Sequence, residues 1–278
     1  MLNIRRYFFC CCLLMVGAVH ALDEQRDAPR RIVSISLCTD QLLLMMVERD
    51  RITALTQSAA RAEESYMASA VGDIPLHHGR IEEIIALKPD LVVGGTFAAQ
   101  GTARLLRELG YRVELAEPPT SMMGVQALIR YFGQWTSRSD KAEEMIQKMD
   151  QQLASIQQRY ADKPQRGIMV YSPNGYTIGS DTLEDEIFRA AGYRNLAADM
   201  GITGFQTISL EQLVAAQPDF VQIDNYLYQQ SSLAGAYINH PALQAMLPEE
   251  KRLYMPTLLR DCAGPMVVDA VEYLASRR

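Results

Sequence analysis

Short apolar runs alternate along this chain with segments of helical periodicity. Arg31–Ser36 is a β-branched run ending in polar residues and reads as a buried strand. Asp40–Val47 reads as a helix, Ile52–Leu55 as a strand, Ile81–Leu87 as a helix and Leu91–Gly94 as an apolar strand ending in glycines. Thr102–Leu109 is a helix closed by Gly110, and Arg112–Ala116 is a further strand. The pattern then restarts. Gly167–Ser172 is a strand, Leu183–Ala191 a helix closed by Gly192, Leu210–Ala216 a helix, Phe220–Asp224 a strand and Val267–Ala275 a closing helix. Strands that are apolar throughout and alternate with helices predict parallel sheets covered on both faces.

The two halves share an internal repeat. Ile81-Glu82-Glu83-Ile84-Ile85-Ala86-Leu87-Lys88-Pro89-Asp90-Leu91-Val92 aligns without gaps on Leu210-Glu211-Gln212-Leu213-Val214-Ala215-Ala216-Gln217-Pro218-Asp219-Phe220-Val221. Each helix must stop before its proline, because the residue preceding proline avoids the α region. A helix–Pro-Asp–strand unit repeated at one offset implies two lobes built alike. Between them Ala142, Met145, Ile146, Met149, Leu153, Ile156 and Tyr160 follow helical spacing, with Ser137 as the expected N-cap and Pro164 as the stop. The predicted fold is α/β: two Rossmann-like lobes with parallel sheets, residues 22–136 and 164–278, joined by a single long helix over 137–163. About 25 helical residues make a rod of about 37 Å, which should hold the lobes at a nearly fixed separation. Trp135, the one tryptophan, is expected to pack beside it.

The first 21 residues read differently. Met1–Arg6 holds two arginines, Tyr7–Val19 is apolar or small, and Val19-His20-Ala21 resembles a cleavage site. This predicts a secretory signal peptide and a periplasmic protein. Over 278 residues the net charge is −6, and it is more negative without the basic leader. An acidic exported protein lacks the basic face that nucleic acid requires. A monomer is expected.

The chemistry-bearing motifs are few. Phosphate-binding glycine loops, a nucleophile elbow and a His-Glu-x-x-His helix are missing from the sequence. In parallel α/β sheets ligands bind beyond the carboxyl ends of the strands, and pockets favour domain interfaces. The loops at those ends place Cys38, Thr39, Arg80, Phe97, Tyr176, Phe205, Tyr226, Arg260 and Cys262 around one crevice. Aromatic faces with a few cations suit a large, partly apolar, partly anionic ligand. Cys38 and Cys262 admit three readings: a disulfide, a thiolate ligand to a bound metal, or two buried unpaired thiols. His77 and His78 are expected to orient a loop at a helix N-terminus; with His240 they are too few for an evident metal site.

The strand Arg31–Ser36, the run Ile81–Val93, the long middle helix and Leu210-Glu211-Gln212-Leu213 follow the order seen in class III periplasmic binding proteins. The chain resembles these substrate-binding subunits of ABC importers for ferric siderophores, haem and cobalamin. The resemblance implies a non-enzymatic protein that needs no cofactor of its own. It would capture a metal chelate, a ferric siderophore or a corrinoid, and deliver it to an inner-membrane permease. It also implies that Glu82 and Glu211, the acids shared by the repeat, dock with permease arginines. Arg80 and Arg260 favour an anionic iron chelate. Cobalamin-binding members often present tryptophan to the corrin ring; here tyrosine or phenylalanine would have to substitute. Two competing classes are an exported thiol redox protein using Cys38 and Cys262, and a carrier of bare divalent metal using His77, His78 and His240.

Overall fold

The computed structural model of the chain describes residues 28–97, 100–223 and 247–278. The leader, Tyr226, Tyr228 and His240 lie outside the described residues. The first lobe is a five-stranded parallel sheet in the order β3-β2-β1-β4-β5, formed by β1 (Ile32–Ser34), β2 (Ile52–Thr56), β3 (Leu76–His77), β4 (Leu91–Gly95) and β5 (Val113–Ala116). The second has β6 (Arg166–Val170), β8 (Tyr193–Asn195), β10 (Phe220–Gln222) and β11 (Arg252–Leu253) in the order β11-β10-β6-β8, again parallel. An antiparallel ribbon of β7 (Tyr176–Ile178) and β9 (Phe205–Thr207) completes it. The principal helices are α1 (Leu37–Met46), α2 (Ile81–Ala86), α3 (Gln100–Glu108), α4 (Met122–Thr136), α5 (Ser139–Arg159), α6 (Leu183–Ala190), α7 (Leu210–Ala216) and α8 (Val267–Arg277).

The repeat has a structural counterpart. Ile32 lies opposite Leu91, and Ile168 opposite Phe220, so each Pro-Asp unit leads into a strand beside its lobe's first strand. Lys88 and Gln217, the residues before the two prolines, both turn left-handed, at φ 47° and 46°. Asp90 then accepts the backbone N–H groups of Arg30 and Arg31 at 2.7 and 2.9 Å, and Asp219 accepts that of Gly167 at 2.7 Å. The aspartate pins the start of the neighbouring strand, which explains why the acid repeats along with the proline.

The junction between the lobes departs from expectation. A separate helix, α4 over Met122–Thr136, precedes the long one, where the expected elements left none. Ser137 does not cap α5; it closes α4 in the left-handed conformation at φ 55°. Arg138 stands at the α5 N-cap with no side-chain cap bond. The chain reverses at once, because Gly133 lets the helices touch: a Cβ there would lie 2.7 Å from that of Ala142. Trp135 sits on α4 against Tyr131 and Phe132, with ring centroids 6.5 and 5.8 Å away.

α5 is therefore embedded rather than a bare rod. One buried cluster runs from Ile32, Leu43 and Leu91 through Ile129, Phe132, Ile146 and Met149 to Ile168, Phe188 and Val271. Contacts between the lobes add to it: Tyr66 donates its hydroxyl to Asp269, and Glu186 accepts the N–H of Met122. A shared core of this kind resists hinge motion, since packed interiors do not deform smoothly.

Beneath the carboxyl end of the first sheet, Asp40 is fully buried and accepts from the N–H and hydroxyl of Thr56 at 3.2 and 2.5 Å. Burial pushes its carboxyl up to about 6, against the opposing pull of hydrogen bonds from Ser34 and Thr56. A carboxyl that ionises less readily folded than unfolded favours the native state below its ordinary pKa, and this advantage is lost as pH rises through about 6. Native stability should thus fall by up to about 3 kcal/mol between about pH 4 and pH 6 on this group's account. Urea midpoints across that range should follow this decline in the wild type and flatten in Asp40→Asn.

Candidate ligand-binding cleft

The carboxyl ends of the strands open onto a cleft of about 750 Å³. The first lobe supplies Phe97, just after β4, and Pro118–Thr120, just after β5. The second supplies the ribbon β7–β9, the N-terminus of α6 and the loop before α8. Phe97 and Phe205 are 84% and 73% exposed, and Tyr176 is 52% exposed. Such exposure of large apolar side chains leaves their faces open to a ligand.

Of the residues expected here, Phe97, Tyr176, Phe205, Arg260 and Cys262 line the cleft. Cys38 forms a disulfide with Cys262, with Cα atoms 5.1 Å apart. The bond joins the start of α1 in the first lobe to the loop lining the cleft in the second. The two sulfurs are thus paired rather than available as a thiolate ligand. Two expectations are corrected. Thr39 is fully buried, its hydroxyl 2.8 Å from those of Ser34 and Ser36, because the first turn of α1 folds back onto β1. Arg80 does not line the cleft; it precedes α2 on the surface and lies 3.4 Å from Glu83. Glu82 and Glu211 are exposed in the first turns of α2 and α7, at equivalent positions of the two lobes.

His77 is buried, its Nε2 2.7 Å from the Ser34 carbonyl oxygen, while Nδ1 accepts the Gly79 N–H at 2.9 Å. His78 donates its backbone N–H to Glu83 at 2.8 Å. Both histidines therefore shape the loop before α2. Among the described residues no three His, Cys, Asp or Glu side chains gather in a geometry that could hold a metal ion.

The floor of the cleft holds residues that the strand-end argument missed. Glu184 enters from the first turn of α6, whose N-cap Thr182 accepts the N–H of Asp185 at 3.2 Å. Gln222, at the end of β10, donates from Nε2 to Glu184 at 2.6 Å. Burial pushes the Glu184 carboxyl up, opposed by the Gln222 hydrogen bond and by the charge of Arg260. Thr177 on β7 completes the floor. Gln222 had a visible signal, a long polar side chain within the apolar run Phe220–Ile223. Glu184 had none, since acids are common in the first turn of any helix.

Arg260 makes an ion pair with Asp261 at 3.1 Å. The described lining also includes Asp181 and Glu184, so acids outnumber the single arginine. The cleft can enclose a large ring between aromatic faces, hydrogen-bond its edge at the floor, and exclude water around it.

A family model described as "Periplasmic binding protein" matches residues 32–246. The chain is 24% identical over 205 residues to "Uncharacterized ABC transporter substrate-binding lipoprotein YvrC" of Bacillus subtilis (strain 168), covering 70% of this chain and 64% of that protein. It is 26% identical over 196 residues to "Cobalamin-binding protein" of Halobacterium salinarum (strain ATCC 29341 / DSM 671 / R1), covering 69% and 53%. The chain thus spans between about half and two thirds of the length of these curated relatives. The solved structure "Periplasmic heme-binding protein RhuT from Roseiflexus sp. RS-1 in apo form" superposes with a TM-score of 0.71 at 22% identity, covering 89% of this chain and 97% of that one. At that identity the likeness establishes the fold. Two like-ordered parallel sheets around one cleft, and a family match over well over half of the chain, lead to one conclusion: the chain belongs to the periplasmic binding protein family.

Proposed function

We propose that this protein is the extracytoplasmic binding component of an ABC importer. It captures a metal chelate in the cleft and delivers it to a membrane permease without chemical change. The observation that carries the reading is the cleft itself: exposed aromatic side chains from both lobes, Phe97 from the first and Tyr176 and Phe205 from the second, line a space of about 750 Å³. That volume suits a macrocycle or a siderophore rather than a bare ion, and the described residues offer no cluster for the latter. The proteins it resembles include a cobalamin-binding protein and a periplasmic haem-binding protein. A cleaved leader would place the protein outside the cytoplasm, and among the described residues no helix is long and apolar enough to cross a membrane.

The embedded interlobe helix favours a largely preformed pocket, which reduces the ordering cost of binding. The direct test is titration of the purified protein with cobalamin, haem and a ferric hydroxamate, followed by the visible absorbance of each chelate. Saturation at one equivalent by at least one of them is expected. Spectra that never depart from free chelate would overturn the reading.

Delivery would use Glu82 and Glu211. They present equivalent carboxylates from two like-built lobes, as recognition by a two-fold permease requires. Rim charges steer docking more than they hold ligand. Glu82→Lys or Glu211→Lys should lower uptake by cells about tenfold or more, while the Kd for the chelate stays within about twofold. An equal loss of both would instead place the glutamates in ligand binding.

A further inference from the structure

We propose that Gln222, with Thr177 and Glu184, forms a recognition site for carboxamide groups on the edge of an uncharged metal macrocycle. The inference rests on the chelate reading above and chooses within it. Two polar atoms of the cleft lining, Gln222 Oε1 and Thr177 Oγ1, are buried without a hydrogen-bond partner among the described residues. Both residues line the cleft and are almost wholly buried, at 3% and 0% exposure. An unsatisfied buried acceptor is costly, and a ligand that supplies a donor recovers that cost. The Gln222 amide is oriented by its own bond: Nε2 donates to Glu184 at 2.6 Å, which leaves Oε1 for an incoming N–H. A primary carboxamide both donates and accepts, so carboxamides at the ligand edge can offer an N–H to Gln222 Oε1 and a carbonyl to the Thr177 hydroxyl.

The charges around this floor point the same way. Arg260 is the single cation of the described lining, and it pairs with Asp261 at 3.1 Å. Asp181 adds a further acid. A ligand edge bearing carboxylates would bring negative charge beside these groups in a poorly hydrated space, where like charges repel strongly. The expectation of an anionic iron chelate relied on Arg80 as well as Arg260, and Arg80 does not line this cleft. The aromatic walls accept a flat ring of either kind, so the floor is where the two are told apart. A site built to hydrogen-bond an N–H discriminates strongly against an analogue that lacks it.

The experiment compares ligands of one shape on the intact protein. Cobalamin carries carboxamides around its ring, and its monocarboxylic acid derivatives replace one of them with a carboxylate. Calorimetric titration at pH 7.5 should give tight one-to-one binding of cobalamin, and at least one monocarboxylate should bind tenfold or more weakly. Gln222→Leu should weaken cobalamin about tenfold and narrow the gap between amide and acid. Equal binding of cobalamin and every monocarboxylate would overturn the proposal, and this comparison needs no variant to fold. Binding of haem or a ferric siderophore in place of cobalamin would overturn the carboxamide site and leave the chelate carrier standing. Failure of all the chelates would overturn the carrier reading itself.

Discussion

Reducing the Cys38–Cys262 bond should lower the melting temperature by about 10–20 °C. The cysteines are 224 residues apart, so the bond closes a loop that takes in most of the chain. In the chain-entropy account, a cross-link across so long a loop destabilises the unfolded state by about 5 kcal/mol. For a chain of this size each kcal/mol moves the midpoint by about 2–4 °C. The position of the bond matters as well as its loop. It ties the start of α1 to the segment carrying Arg260 and Cys262, so it fixes one wall of the cleft to the opposite lobe. Thermal unfolding with and without dithiothreitol reads the effect, and the Cys38→Ser/Cys262→Ser double variant should match the reduced wild type. A shift below about 2 °C would mean that the shared core alone sets the stability.

Removing the two exposed phenylalanines of the cleft should separate binding from folding. Phe97 and Phe205 are 84% and 73% exposed, so neither contributes much to the core. Truncating each to alanine should leave the melting temperature within about 2 °C of the wild type, as expected for exposed positions. Binding should respond differently, because the same rings become buried when a ligand fills the cleft. Losing a newly buried aromatic side chain costs about 2 kcal/mol, or about 30-fold in Kd, and the double variant should lose about a thousandfold. Titration of Phe97→Ala, Phe205→Ala and the double variant checks this against their melting curves. Unchanged Kd values would place the ligand away from these faces.

The alternation of apolar runs and helical segments already reveals the two parallel sheets, because strands covered on both faces have no polar side to hide. The repeat goes further. It marks Lys88 with Gln217 and Asp90 with Asp219 as equivalent, and the structure gives each pair the same left-handed turn or backbone clamp. The helix Met122–Thr136 is harder to read from sequence for a physical reason: it forms a hairpin with α5 that depends on the close approach at Gly133. In the cleft, strand-end logic finds the aromatic walls, since side chains there point where the sheet stops. It misplaces Thr39 and Arg80, because whether a loop residue turns inward, outward or sideways depends on local contacts such as the Thr39–Ser36 hydrogen bond and the Arg80–Glu83 ion pair. The floor is the least legible part. Glu184 and Gln222 lie 38 residues apart and meet only when β10 packs beside β6.

A chelate carrier must hold one metal chelate in its cleft. Native mass spectrometry of the wild type, purified without reductant and mixed with a panel of cobalamin, haem and ferric siderophores, tests it most directly. The expected result is a one-to-one complex with the unaltered mass of one chelate, on a protein lacking the two hydrogens of a reduced cysteine pair, and its loss in the Phe97→Ala/Phe205→Ala variant. A folded, disulfide-bonded protein that gives no complex with any member of the panel would contradict the account.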